Sequence, residues 1–258
     1  MKQIRIGDVT IDAVIEREGP WRRPQDFFPA YDDAVFKHHL KTMEPEVFDA
    51  ASGLMVITYQ TFLVRTPHHT ILVDTCTGEN KDHPPPFDFP GKERWRDELF
   101  ALGVGFEQID YVFCTHLHID HAGKDDHFPM NTTVVINRRE MECSVSGLMH
   151  PQYPKPDIQH LIERLHTRHA LRFEDLELSG PVEIMPGVTL EAANAHTEGS
   201  MNVHVETREG LATICGDVIY DFNDQVVEPL YQVNAHEPQV TGNHAGSKRG
   251  EKAAIKKL

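Results

Sequence analysis

The stretch Ile109-Asp110-Tyr111-Val112-Phe113-Cys114-Thr115-His116-Leu117-His118-Ile119-Asp120-His121-Ala122-Gly123 decides how this chain is read. Its first half, Ile109 to Cys114, is a short apolar run suited to a strand buried on both faces. That strand runs straight into an H-x-H-x-D-H spacing. In an extended exit from a strand, residues two apart point the same way, so His116, His118 and Asp120 are expected to share one side while His121 turns to the next. Imidazole nitrogens and a carboxylate oxygen are the ligand set of borderline divalent ions such as Zn²⁺. Crowding three imidazoles and a carboxylate at the end of an apolar strand brings no energetic return without such an ion.

Outward from this motif, β-rich segments flank it on both sides. Ile4, Ile6, Val9, Ile11 and Val14 read as a strand pair turned at Gly7-Asp8. Leu54 to Arg65 and Thr70 to Asp74 read as interior strands separated by the Pro67-His68-His69 turn. Lys81 to Gly91, with Pro84-Pro85-Pro86, reads as an irregular loop, and Lys92 to Leu102 as an amphipathic helix ending near Gly103. Downstream, Thr132 to Ile136 reads as a strand and Arg138 to Cys143 as the start of a helix, while 147–178 reads as irregular structure plus helix. Val182 to Met185, Val188 to Ala192, Met201 to Glu206 and Leu211 to Cys215 supply four more strands. Strands clustered at both ends with helices between them predict α/β layers, a two-sheet core with helices outside. Residues 19–50 are rich in aromatics and fit either a loop covering an apolar site or plain packing onto the sheet.

Composition narrows the function classes. The 258 residues, with 40% hydrophobic residues, suit one large domain, 1–258, with a real core and no membrane-spanning run. Twenty-five basic against 40 acidic residues give a formal charge of −15, which disfavours nucleic acid and anionic bilayers and favours a small or uncharged substrate. Four cysteines without C-x-x-C spacing read as reduced thiols, and the N-terminus lacks the pattern of a secretory signal, so a cytoplasmic location is expected. The 17 histidines stand out, because several of them are placed rather than scattered.

One cluster of four cannot complete two metal shells, so further His or Asp residues are expected at other strand ends. His196 follows the strand Val188 to Ala192, and Asp217 follows Leu211 to Cys215. Each alone is ambiguous, whereas at corresponding strand exits they read jointly as ligands. With Asp74 in Leu72-Val73-Asp74-Thr75, the His116 to Gly123 motif, His196 before Thr197-Glu198-Gly199, and Gly216-Asp217, the chain resembles the metallo-β-lactamase fold superfamily of hydrolases over most of its length. The resemblance implies an αββα sandwich of two mixed β-sheets with helices on the outer faces and a metal pair at one edge. It implies that His116, His118 and His196 hold one ion, Asp120 and His121 the second, and that Asp217 bridges both. A last histidine completes the second site in such proteins. His236 and His244 are the candidates, and the setting Gly242-Asn243-His244-Ala245-Gly246 favours His244, although its interval from Asp217 is short for the superfamily.

The implied chemistry is hydrolysis by a water activated between two divalent ions, zinc first, with manganese, iron or cobalt as alternatives. Asp120 would also orient that water and move a proton, and Asp74 would hydrogen-bond a ligand histidine and fix its tautomer. Gly216-Asp217-Val218-Ile219-Tyr220 is similar to the segment of the N-acyl homoserine lactonase branch, which makes Tyr220 a candidate donor to the substrate carbonyl. An ester, a lactone or a related small uncharged molecule is the expected substrate. Alternatives are a glutathione-thioester hydrolase, a mononuclear-iron persulfide dioxygenase of the same fold, or a metal-binding protein without turnover. The aromatic N-terminal segment would suit a homodimer interface as well as a lid.

Overall fold

The computed structural model of the chain describes residues 3–27, 33–36, 45–78, 87–123, 127–146, 171–194 and 196–218. Two sheets form its body. The first contains β1 (Gln3–Ile6), β2 (Val9–Pro20), β3 (Phe48–Asp49), β4 (Leu54–Arg65), β5 (Thr70–Val73), β6 (Tyr111–Cys114), β7 (Thr133–Asn137) and β8 (Leu171–Glu174). Their order is β1-β2-β4-β5-β6-β7-β8, with β3 paired to β4. The sheet is mixed: β1 to β5 pair antiparallel, whereas β5, β6, β7 and β8 run parallel. The second sheet, in the order β12-β11-β10-β9, holds β9 (Val182–Met185), β10 (Val188–Ala192), β11 (Met201–Thr207) and β12 (Gly210–Ile214). It is antiparallel throughout these four strands.

Alternation along the strands divides the core in two. Val73, Phe113 and Val135 of the first sheet belong to one apolar cluster with Leu190, Val203 and Ile214 of the second. Leu72, Val112 and Val134, one residue out of step, enter a second cluster on the opposite face, where Trp95 and Leu99 of helix α3 (Arg94–Ala101), which follows the one-turn helices α1 (Pro24–Phe27) and α2 (Asp33–Phe36) in the chain, are buried. The period of two sends consecutive residues of each strand to opposite faces, so the central strands are covered on both sides and read as continuous apolar runs. Trp95 is fixed by polarity as well as by packing: its indole Nε1 donates to Thr61 Oγ1 at 2.8 Å. The N-terminal hairpin, the four strands of the second sheet and a helix ending before Gly103 all form where the sequence places them.

Two differences have physical causes. Residues 147–170 of the segment read as irregular structure plus helix lie outside the described residues, but its described end contains β8 as well as the short helix α5 (Leu176–Ser179). Leu171-Arg172-Phe173-Glu174 is too short to show a period, and its strand geometry comes from parallel pairing with β7. In β2, the register against β4 shifts between Ile15 and Arg17, a bulge that leaves Glu16 buried. Glu16 Oε2 then accepts from the backbone nitrogen and hydroxyl of Thr77, at 3.0 and 2.8 Å. The bulge thus anchors the loop that follows β5. The triple-proline part of the expected loop 81–91 lies outside the described residues, as does 250–258, which reads in sequence as a closing helix. Among the described residues, no helix is long and apolar enough to cross a membrane.

Candidate metal centre

The C-terminal ends of β5 and β6 meet the loops that follow β10 and β12, and the chemistry-bearing side chains collect there. Parallel strands place such residues together because their C-terminal ends lie at one edge of the sheet. The loop after β5 is held in an uncommon conformation: Asp74 and Cys76 have φ of 63° and 57°, a left-handed region that costs a non-glycine residue on the order of 1 kcal/mol or more. Backbone bonds on both sides hold it there. Asp74 N donates to Phe113 O, Thr75 N to His121 O, and Gly123 N to Cys76 O, all between 2.7 and 2.8 Å. This approach explains the glycine that closes the histidine motif. A Cβ on Gly123 would lie 2.0 Å from the carbonyl carbon of Thr77.

His116, His118 and His196 are buried at 0, 2 and 3% exposure. His118 Nδ1 lies 3.0 Å from His116 Nε2 and 2.9 Å from His196 Nε2, so three imidazole nitrogens converge. A single proton shared between two of them leaves the third lone pair facing another nitrogen, an arrangement that hydrogen bonding satisfies poorly and a divalent cation satisfies fully. The donor set and its convergence therefore fit a metal ion. All three nitrogens lie within 4.8 Å of one another, and a second such group comprises His116, His121 and Asp217.

His121 belongs to the second group. Its Nδ1 is 2.8 Å from Asp74 Oδ2, and Asp74 also accepts from the backbone nitrogen and the hydroxyl of Thr115. A carboxylate on Nδ1 keeps a proton there, so Nε2 is the ring atom that could bind a cation. That Nε2 lies 3.3 Å from Asp217 Oδ1 and 3.8 Å from Asp120 Oδ2. The other oxygen of Asp217, Oδ2, is 3.6 Å from His196 Nε2. One carboxylate thus reaches an imidazole of each group. Burial opposes charge on His121, but Asp217, Asp74 and Asp120 outweigh it and hold its pKa well above the ordinary value. Burial lifts the Asp120 carboxyl to about 6, with Asp217 and Asp74 adding to the rise and His121 opposing it. Several carboxylates packed around so few positive groups also favour a cation between them.

The structure corrects the expected geometry of the motif. His116 and His118 do share a group, but Asp120 does not continue along that side, because the chain stops being extended after His118. The backbone nitrogens of His121 and Ala122 both donate to His118 O, at 3.0 and 3.2 Å, and this turn carries Asp120 and His121 together towards Asp217. Tyr220, His236 and His244 lie outside the described residues.

Two contributors are missed by the sequence reading. Glu140, in the first turn of helix α4 (Arg138–Ser146), is fully buried and accepts from Leu117 N, Thr197 Oγ1 and Gly199 N. Burial raises its pKa, and those three donors oppose the rise. The pattern Arg138-Arg139-Glu140 looks like ordinary helix surface, so only the contact itself reveals it. Tyr59, an interior strand residue by pattern, is buried with its ring 5.9 Å from Phe87 and 5.5 Å from Phe89. Burial first, and then the field of Asp120, hold its phenol above the usual range, so it stays protonated.

The carboxylate side opens into a cavity of about 330 Å³. Asp120, His121 and Asp217 line its polar end, and Trp21, Met55, Ile57, Phe62 and Ile214 supply apolar walls. Trp21 is held there by its backbone nitrogen, which donates to Met55 O at 2.8 Å. Trp21 of the aromatic N-terminal segment therefore packs against β4 and also borders this cavity.

A strand-end cluster of imidazoles and carboxylates between two stacked sheets defines the class of the protein, and comparison with known families agrees: residues 58–252 match the metallo-beta-lactamase superfamily. The chain belongs to that superfamily, and its αββα fold is that of the family. Among curated relatives it is similar to an N-acyl homoserine lactonase of Bacillus cereus, 29% identical over 182 residues, covering 64% of this chain and 66% of that protein. It is also similar to N-acyl homoserine lactonase AiiA of Bacillus thuringiensis subsp. kurstaki, 31% identical over 130 residues, covering 48% of this chain and 46% of the relative. The chain thus spans less than two thirds of the length of these relatives. Among solved structures, AidC, a dizinc quorum-quenching lactonase, superposes with a TM-score of 0.72 at 19% identity, over 99% of this chain and 84% of that one. An N-acyl homoserine lactone hydrolase with N-hexanoyl-L-homoserine at its catalytic metal center gives 0.62 at 20% identity, over 98% and 90%. At these identities the superpositions speak for the fold.

Proposed function

We propose that this protein is a metal-dependent hydrolase of small uncharged esters, with N-acyl homoserine lactones as the first substrate class to test. The observation that carries the reading is the pair of ligand groups sharing His116 beside a cavity with apolar walls. The lactonases among its relatives support the choice of bond. His116, His118 and His196 would hold one ion, Asp120 and His121 the other, with Asp217 between them and His244 completing the second set. When bound, two divalent ions would supply a water deprotonated near neutral pH and a Lewis acid for the ester carbonyl.

The residues around that centre have separable tasks. Asp74 fixes the ring of His121 and the start of the motif through Thr115. Asp120, beside His121 and Asp217 at the cavity end, would orient a nucleophilic water, take its proton and pass it to the departing alkoxide. The apolar walls remove water from the acyl chain and align the ester with the metal end. Tyr220, on the sequence evidence alone, would donate to the carbonyl oxygen.

The test is a hydrolysis panel on protein never exposed to chelator: N-acyl homoserine lactones of increasing chain length, an aryl ester, a glutathione thioester and a phosphotriester. Lactone kcat/KM should rise about threefold to fourfold per added methylene, the effect of burying about 0.8 kcal/mol each, and level off once the cavity is filled. Faster turnover of the glutathione thioester, or lactone rates indifferent to chain length, would count against this substrate class.

A further inference from the structure

One buried carboxylate joins the two loops that carry the three converging imidazoles. Glu140 Oε1 accepts from Leu117 N at 2.9 Å, and Leu117 is the residue between His116 and His118. Glu140 Oε2 accepts from Thr197 Oγ1 at 2.7 Å and Gly199 N at 3.1 Å, in the loop that carries His196. That loop lies directly on the first turn of α4: a Cβ on Gly199 would be 2.1 Å from Glu140 N. Its seat is reinforced by Asn137 Nδ2, which donates to Gly199 O at 2.9 Å, and by Arg139, whose guanidinium meets Glu198 at 3.1 Å. Elsewhere the two ligand-bearing segments are tied by the backbone bond from Met201 N to Thr115 O, outside the histidines themselves.

We infer that Glu140 is a positioning residue that sets the spacing of His116, His118 and His196, and thereby the hold of that group on its ion. The role rests on the metal reading given above. A carboxylate suits it because all three partners are donors and both oxygens accept. An amide in its place would accept at one atom and oppose a buried donor at the other, displacing one loop relative to its neighbour. None of these three bonds reaches Asp120, His121 or Asp217, so the effect falls chiefly on the ion of the three imidazoles.

The experiment is metal titration of full-length Glu140→Gln against a chromogenic chelator, with Zn²⁺ as the probe and the melting of the metal-free proteins measured alongside. The expected result is one ion bound about 10- to 100-fold more weakly than in the parent, the range typical of residues that orient ligands. The other ion is expected to be held within about threefold, below that range, and the metal-free far-UV spectrum to be unchanged. Should Glu140→Gln fail to fold, Thr197→Val removes one of the three donors and should weaken the same ion by about 10-fold, the lower end of that range. Two ions bound to the variant as tightly as to the parent would overturn the role while leaving the metal reading intact. Equal weakening of both ions with a lowered metal-free melting point would also overturn it, as the mark of a residue that merely supports the fold. A parent protein that takes up no divalent ion would overturn the metal reading and this role with it.

Discussion

Asp120→Asn is expected to lower turnover by about 10²- to 10⁴-fold, the range for losing a positioned acid–base group, while leaving the metal-free protein at least as stable as the parent. The two halves of the prediction have one cause. Burial holds the Asp120 carboxyl at about 6, with Asp217 and Asp74 nearby, so its charged form is disfavoured in the folded chain. A folded pKa above the ordinary 3.8 contributes stability below about pH 4, and that contribution is lost as pH rises through about 6. The neutral amide removes that loss. The melting temperature of metal-free parent protein should fall between about pH 4 and 6 relative to that of Asp120→Asn. Equal activity in the two proteins, or a variant that melts well below the parent at pH 7, would contradict this account of Asp120.

His118→Ala should be still more damaging to activity and should change the metal content itself. Its Nδ1 is the atom to which both other imidazoles point, at 3.0 and 2.9 Å, so truncation removes the hub of the three-nitrogen group. Loss of an orienting residue near a metal costs about 10- to 100-fold, so removal of a proposed ligand should exceed that range. Element analysis should find about one ion where the parent holds about two, and added Zn²⁺ should not restore the rate. A variant that keeps both ions and most of its activity would show that His118 is a packed core histidine.

Much of this site is legible in the chain because strand chemistry is local. The runs Ile109 to Cys114, Val188 to Ala192 and Leu211 to Cys215 announce strands whose ends carry His116, His196 and Asp217. Asp74 is legible in the same way, as a carboxylate at the end of Thr70 to Val73, and it does contact His121. What the sequence hides depends on tertiary closure. The turn after His118 is made by backbone bonds to a single carbonyl, so an extended-strand argument sends Asp120 to the wrong side. Strand β8 exists through its partner β7 rather than through its own four residues. Glu140 and Tyr59 look ordinary in sequence; one meets the ligand-bearing loops and the other the cavity wall only through tertiary closure.

The central claim is that these imidazoles and carboxylates enclose a pair of cations. Anomalous diffraction from crystals of protein purified without chelator tests it most directly. The account predicts two peaks about 3.5–4 Å apart, the spacing of two-metal hydrolytic sites, one against His116, His118 and His196, the other against Asp120 and His121, with Asp217 between them. Fully ordered side chains at these positions with no anomalous peak among them would contradict it.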